Sequence, residues 1–105
     1  MVTVKKFILV TATHLPYHDK WVKLTQDLSN ALGVQYEIKE EDYVFAIEHG
    51  KTDDLGMAGL PQLFAELDDG RIVVVLWEVP LNERYEADFD KAKEVVLARI
   101  KEIVG

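Results

Sequence analysis

The 105-residue sequence contains no cysteine. This absence excludes disulfide bonds, zinc sites built on cysteine and catalysis by a thiol. No apolar run approaches the roughly 20 residues that a membrane-spanning helix requires. The N-terminal MVTVKKFILV also lacks the small-residue cleavage site of a secretory signal. We therefore expect a cytoplasmic protein.

The sequence also lacks an excess of positive charge. Its 12 Lys and Arg residues are outnumbered by 19 Asp and Glu residues, which gives a formal net charge of −7. Nucleic acids and anionic membrane surfaces are bound by clustered Lys and Arg. The acidic balance argues against both as partners, and we interpret the charge as keeping a small protein in solution. High charge without cysteine is compatible with a thermophilic source.

Repeats, linkers and low-complexity segments are absent as well. The length suits one domain over residues 1–105. At 49% hydrophobic and 30% charged residues, the composition is that of an ordinary globular protein.

The first third of the chain predicts a strand, a helix and a second strand. Val4–Thr11 is rich in β-branched and aromatic residues, which indicates a buried strand, and residues 35–39 alternate as a second one. Between them we predict a helix with Pro16 in its first turn and Gly33 as its stop. Its apolar residues at helical spacing are Trp21, Leu24, Leu28 and Leu32.

The rest of the chain predicts a short helix, a hairpin and a long helix. Residues 43–47 suit the short helix, and Gln62–Leu67 with residues 71–79 suit an antiparallel hairpin about the turn DDG. The last helix has an apolar face, formed by Phe89, Val96, Ile100 and Ile103. The order β-α-β-α-β-β-α predicts an α/β fold with a four-stranded mixed sheet, its first two strands parallel and helices on both faces.

Two short motifs resemble those of a known family. LPYH at residues 15–18 precedes the first helix, and LPQLF at residues 60–64 enters the hairpin. With the element order, they resemble the thioredoxin-fold superfamily and, within it, the glutaredoxins. Those proteins carry Cys-Pro-Tyr-Cys at the first place and a Val-Pro-Gln-Val-Phe-like segment at the second. The resemblance implies a thioredoxin-like fold with a cis peptide bond before Pro61.

The residues that perform the chemistry of that family are missing. Leu15 and His18 stand where glutaredoxins have their two cysteines, and thiol–disulfide exchange requires a thiolate. The Gly-Gly-Asp segment with which glutaredoxins hold glutathione is replaced by LWEVPLNERYEADF. We therefore expect no thiol–disulfide oxidoreductase activity, and no cofactor is indicated.

The resemblance implies a groove between the N-terminus of the first helix and the loop before Pro61. In thioredoxin-like proteins the backbone beside this proline pairs with an extended peptide. We interpret the chain as a redox-inactive module that binds a protein, a peptide or a small ligand in this groove, as a monomer or a homodimer. The residues expected to line it are Leu15, Pro16, Tyr17, His18, Leu60 and Pro61.

An enzyme is the alternative interpretation. In it, His18 acts as an acid–base residue, or the groove holds a thiol ligand as in glutathione transferases. No nucleophile accompanies His18, so the simpler expectation is a histidine that bonds a nearby backbone group. A metal is not expected, because Pro16 separates His14 from the helix that would place it beside His18.

The two tryptophans and the acidic runs are expected to have structural roles. Trp21 and Trp77 each lie within an apolar periodicity and are expected in the core rather than as a platform for a ligand. The acidic runs at residues 40–42 and 53–54 flank turns, so we expect solvated carboxylates without a catalytic role.

Overall fold

A computed structural model of the chain describes residues 2–104. The predicted element order is confirmed, and the predicted bounds of the first and third strands are those observed. The elements are β1 (Val4–Thr11), α1 (His18–Leu32), β2 (Gln35–Glu40), α2 (Tyr43–His49), β3 (Gln62–Leu67), β4 (Ile72–Leu76) and α3 (Phe89–Val104).

The strands form one mixed sheet in the order β2-β1-β3-β4. β1 pairs in parallel with β2 and antiparallel with β3, and β3 pairs antiparallel with β4. A parallel pair requires a crossover, which α1 supplies, whereas the hairpin needs only a tight turn, in which Gly70 has a φ of 91°. The α/β architecture with a four-stranded mixed sheet is therefore confirmed.

Helices cover both faces of the sheet because its central strand is apolar on both. Phe7 and Leu9 belong to the larger cluster, with residues of α1 and α3. Ile8 and Val10 belong to the smaller cluster, with Ala46 of α2. Successive side chains of a strand point to opposite faces, so the uninterrupted apolar run of β1 requires a helical layer on each side.

The second strand of the hairpin is shorter than predicted. β4 covers Ile72–Leu76 instead of residues 71–79. Its last residue, Leu76, pairs with Leu63 of β3. Pro61, two residues before Leu63, has no N–H with which to extend the ladder. The apolar periodicity runs on past Leu76, but the ladder that would hold a longer strand ends there.

A cluster of charges lies where β2 meets β1. Lys6 Nζ lies 2.8 Å and Lys39 Nζ 3.1 Å from the Glu37 carboxylate. The hydrogen bond from Lys6, followed by that from Lys39, lowers the pKa of Glu37 below its ordinary 4.5. The same hydrogen bond raises the pKa of Lys6.

We predict that Glu37→Gln removes a pH-dependent share of the free energy of unfolding. Because the pKa of Glu37 is lowered by folding, its contribution is present above pH 4.5 and is lost as the pH falls through the folded-state value. The side chain is 41% exposed, so solvent screening limits the effect to less than about 1 kcal/mol. Urea unfolding of both proteins from neutral to strongly acidic pH measures it. A difference that stays constant with pH would contradict this role.

Candidate functional site

The chain between β1 and α1 makes two successive turns. The Leu15 N–H donates to the Ala12 carbonyl at 3.0 Å, and the His18 N–H donates to the Leu15 carbonyl at 3.3 Å. Tyr17 has φ 63° and ψ 13°, the conformation of the third residue of a type II turn, in which proline is favoured at the second. The predicted place of Pro16 in the first turn of α1 is therefore wrong: it belongs to this turn, and α1 begins at His18.

His18 is held by the buried end of β1. Its Nδ1 lies 3.0 Å from the hydroxyl oxygen of Thr11, whose side chain is buried. A hydroxyl and a neutral imidazole can each donate or accept, so this bond orients the ring in either tautomer. Within residues 2–104 the other ring nitrogen, Nε2, has no hydrogen-bond partner. A side chain thus holds the histidine for which a backbone partner was expected.

The register of β1 and β3 relates Pro61 to Thr11, the residue that bonds the same histidine. Val10 pairs with Gln62, so one further step along the antiparallel ladder sets Pro61 opposite Thr11. Residues opposite each other in such a ladder have Cα atoms about 5 Å apart. Alternation along β3 also puts Pro61 on the face that α1 covers. The Leu60–Pro61 peptide bond is cis, as the resemblance implied.

The remaining predicted site residues are divided between the two faces of the sheet. Tyr17 is 53% exposed, and its ring centroid lies 6.0 Å from that of Phe89 at the start of α3. Leu15 is half-buried and Pro16 exposed in the same turn. Leu60, in contrast, packs into the smaller cluster on the α2 face. The structure therefore groups the LPYH turn with Pro61 and directs Leu60 to the opposite face.

Gln62 is a determinant of the site that sequence analysis missed. The side chain is buried, and its Nε2 donates to the carbonyls of Lys51 at 2.9 Å and Gly59 at 2.8 Å. Its Oε1 accepts the Lys51 N–H at 2.9 Å. These bonds attach both ends of the loop 51–59 to the first residue of β3. The available signal was a long polar residue at the start of an otherwise apolar strand.

Gly50 allows this loop to approach Gln62. A Cβ atom at Gly50 would overlap Gln62 Oε1 and would lie 2.7 Å from the Ala46 carbonyl oxygen. Only glycine avoids both contacts, because it has no side chain. The sequence offered no reason to single out this glycine, since it follows a short helix and resembles an ordinary loop residue.

The loop 51–59 contains a compact turn closed by one carboxylate. Asp53 Oδ1 accepts the N–H groups of Leu55 at 2.9 Å and Met57 at 3.0 Å. The fourth turn residue, Gly56, has a φ of 78°. Asp53 is exposed, as expected, and its carboxylate also holds the backbone of this turn.

A second loop, after β4, has the same construction. Asn82 Oδ1 accepts the N–H groups of Arg84 at 2.8 Å and Glu86 at 3.1 Å. The residue equivalent to Gly56 is Tyr85, with a φ of 63°. The first loop leads into the start of β3 and the second follows the end of β4, so both lie at the end of the sheet that carries the LPYH turn. Their exposed apolar side chains are Leu55, Met57, Leu81 and Tyr85.

A cleft of about 520 Å³ opens between the first loop and the chain after β4. Trp77 lines it and is half-buried, so the expectation of a core tryptophan is wrong; Trp21, by contrast, is buried as predicted. Lys51 Nζ lies 4.6 Å and Arg99 Cζ 4.2 Å from the indole centroid. These cation–π contacts fix the ring at the wall of the cleft. Other lining residues are Met57, Gly59, Leu60 and Gln62.

Comparison of the chain with protein-family models, with curated proteins and with solved structures finds no match in any of the three. Among residues 2–104, no three His, Asp or Glu side chains are grouped so that they could hold a metal ion. No helix in that span combines the length and the apolarity needed to cross a membrane. The functional proposal below rests on the LPYH turn, Leu60, Pro61 and the Trp77 cleft.

We predict that Gln62→Leu lowers the free energy of unfolding by about 2–4 kcal/mol, because it removes three hydrogen bonds to the backbone of Lys51 and Gly59 that contribute about 1 kcal/mol each. The matched control is Gln26→Leu, which removes an exposed amide bonded to the Tyr36 hydroxyl and should change stability by less than about 0.5 kcal/mol. Urea denaturation measures both. Equally small effects of the two substitutions would show that Gln62 does not anchor the loop.

Proposed function

We propose that the chain has a thioredoxin-like fold and is a redox-inactive module that binds an extended segment of a protein or peptide. The element order and the sheet order β2-β1-β3-β4 support the fold assignment. So does the register that sets Pro61 opposite Thr11, which bonds His18 at the start of α1. The absence of cysteine leaves such a fold without the thiolate that its redox chemistry needs.

The proposal rests on the unpaired backbone groups of Leu60. Within residues 2–104, its N–H and C=O form no hydrogen bond, although β3 begins only two residues later. Its side chain packs into the smaller cluster and fixes the backbone in place. Unpaired backbone groups beside a strand bind an extended chain through the same hydrogen bonds that join strands in a sheet.

The side chains around Leu60 suit a ligand with apolar residues. Trp77 and Met57 line the cleft on one side, and the exposed ring of Tyr17 lies on the side of the LPYH turn. Successive side chains of an extended chain point in opposite directions. A peptide that pairs with Leu60 would therefore direct one side chain to the cleft and the next to the turn.

The contacts of His18 favour hydrogen bonding to a ligand over acid–base catalysis. Among residues 2–104 the imidazole ring bonds the Thr11 hydroxyl alone, and no carboxylate bonds it. In a catalytic triad a carboxylate orients the histidine and stabilises its charged form, which the Thr11 hydroxyl does not do. The binding interpretation requires only the ring nitrogen that Thr11 leaves without a partner.

We predict that linear peptides selected from a phage-displayed library bind at Leu60. In ¹⁵N NMR spectra, a selected peptide should shift the amide signals of residues 59–62 and the indole signal of Trp77. Tyr17→Ala and Met57→Ser remove exposed side chains on the two sides and should each weaken binding by about tenfold, or about 1.4 kcal/mol.

Arg71→Ala is the control, because Arg71 follows the β3–β4 turn at the far end of the sheet and contacts Asp69. It should leave the affinity unchanged. Failure to select any peptide would contradict the proposal. So would a peptide whose affinity is insensitive to both Tyr17→Ala and Met57→Ser.

A further inference from the structure

The outer edge of β2 is open, whereas the opposite edge of the sheet is protected. β4 is interrupted by a register shift, and Arg99 Nη1 donates to the Val75 carbonyl at 2.8 Å. Bulges and capped carbonyls hinder pairing with another chain. β2 pairs with β1 without any register shift from Gln35 to Glu40, and within residues 2–104 no further strand lies beyond it.

The hydrogen bonds to β1 identify the backbone groups that face this open edge. Thr11 pairs with Glu40, and its carbonyl accepts the Glu41 N–H at 2.8 Å. In a parallel ladder a residue bonds the two neighbours of its partner. The odd-numbered residues of β2 therefore bond β1, and the even-numbered ones direct their N–H and C=O outward. These residues are Tyr36, Ile38 and Glu40.

We propose that this edge pairs with β2 of a second copy of the chain, antiparallel about a two-fold axis at Ile38. Ile38 then lies opposite its own copy, and Tyr36 lies opposite Glu40 of the second copy. All three outward-facing residues take part in hydrogen-bonded pairs, which gives about six backbone hydrogen bonds between the copies. The two sheets become one continuous sheet.

The charges of β2 select this register. Glu37 and Lys39 lie on either side of Ile38, so each carboxylate falls opposite an ammonium group of the other copy. These positions are the close, non-hydrogen-bonded pairs of an antiparallel ladder, where opposite charges stabilise and like charges destabilise. An axis at Glu37 or at Lys39 would instead set two like charges opposite each other. Self-complementarity therefore favours a second copy as the occupant of this edge.

The apolar side chains on this edge also favour pairing with a second copy of the chain. Ile38 is 36% and Tyr36 41% exposed. Both lie on the face that α1 covers, because their partners in β1 are Leu9 and Phe7 of the larger cluster. Pairing covers Ile38 with its own copy. The Trp77 cleft follows β4 at the other edge of the sheet and stays open, so the dimer is independent of the proposed peptide site.

Light scattering after size-exclusion chromatography, with about 100 μM protein because the interface is small, tests the dimer and its register. The wild-type chain should elute with a dimer fraction. Lys39→Glu and Glu37→Lys should each be monomeric, because both set like charges opposite each other. An equimolar mixture of these two variants should recover the dimer. One copy then has two carboxylates at positions 37 and 39 and the other has two ammonium groups there, so opposite charges face each other at both positions.

Two further variants separate the register from a general loss of structure. Glu37→Lys/Lys39→Glu exchanges the charges and keeps both cross-strand pairs, and it should recover a dimer although it loses the Lys6–Glu37 ion pair within each copy. Ile38→Pro removes an outward N–H without breaking a bond to β1 and should be monomeric, with a folded circular dichroism spectrum. A monomeric wild-type chain, a mixture that stays monomeric, or a dimer that survives Ile38→Pro would overturn the proposal.

Discussion

The buried side chain of Gln62 is the contact on which the functional end of this molecule depends. It satisfies three backbone groups of Lys51 and Gly59 at once. Each of these hydrogen bonds contributes about 1 kcal/mol, so the loop between these residues is fixed relative to β3. That loop leads directly into Leu60 and forms one wall of the Trp77 cleft. The Gln62 side-chain amide therefore positions both the Leu60 backbone and the cleft wall.

Most of the fold could be predicted because its signals are local. The apolar run of β1 and the turn at Gly70 act within a few residues, as does the left-handed stop at Gly33. The pairing of the first two strands and of the last two then followed from two general constraints, a crossover for the parallel pair and a tight turn for the hairpin. The position of β1 beside β3 was not predicted. The cis bond before Pro61 followed from resemblance rather than from periodicity.

The site was harder to predict from the sequence, because hydrogen bonds from side chains to distant backbone groups determine its geometry. Gln62 reaches a residue 11 positions away, a relation that periodicity does not contain. Pro16 was placed in a helix because helix starts and type II turns both favour proline, and only the conformation of Tyr17 separates them. Trp77 was assigned to the core because its apolar neighbours do not reveal where the ladder of β4 ends.

Hydrogen exchange of the Lys51 amide most directly tests the claim that Gln62 fixes the loop beside Leu60. This N–H donates to Gln62 Oε1 rather than to a neighbouring backbone group. If Gln62 holds the loop, this amide is protected about as strongly as the amides of β3, and Gln62→Leu removes most of this protection while β3 stays protected. A Lys51 amide that exchanges as fast as an exposed loop amide in the wild-type chain, or that is equally protected in the variant, would contradict it.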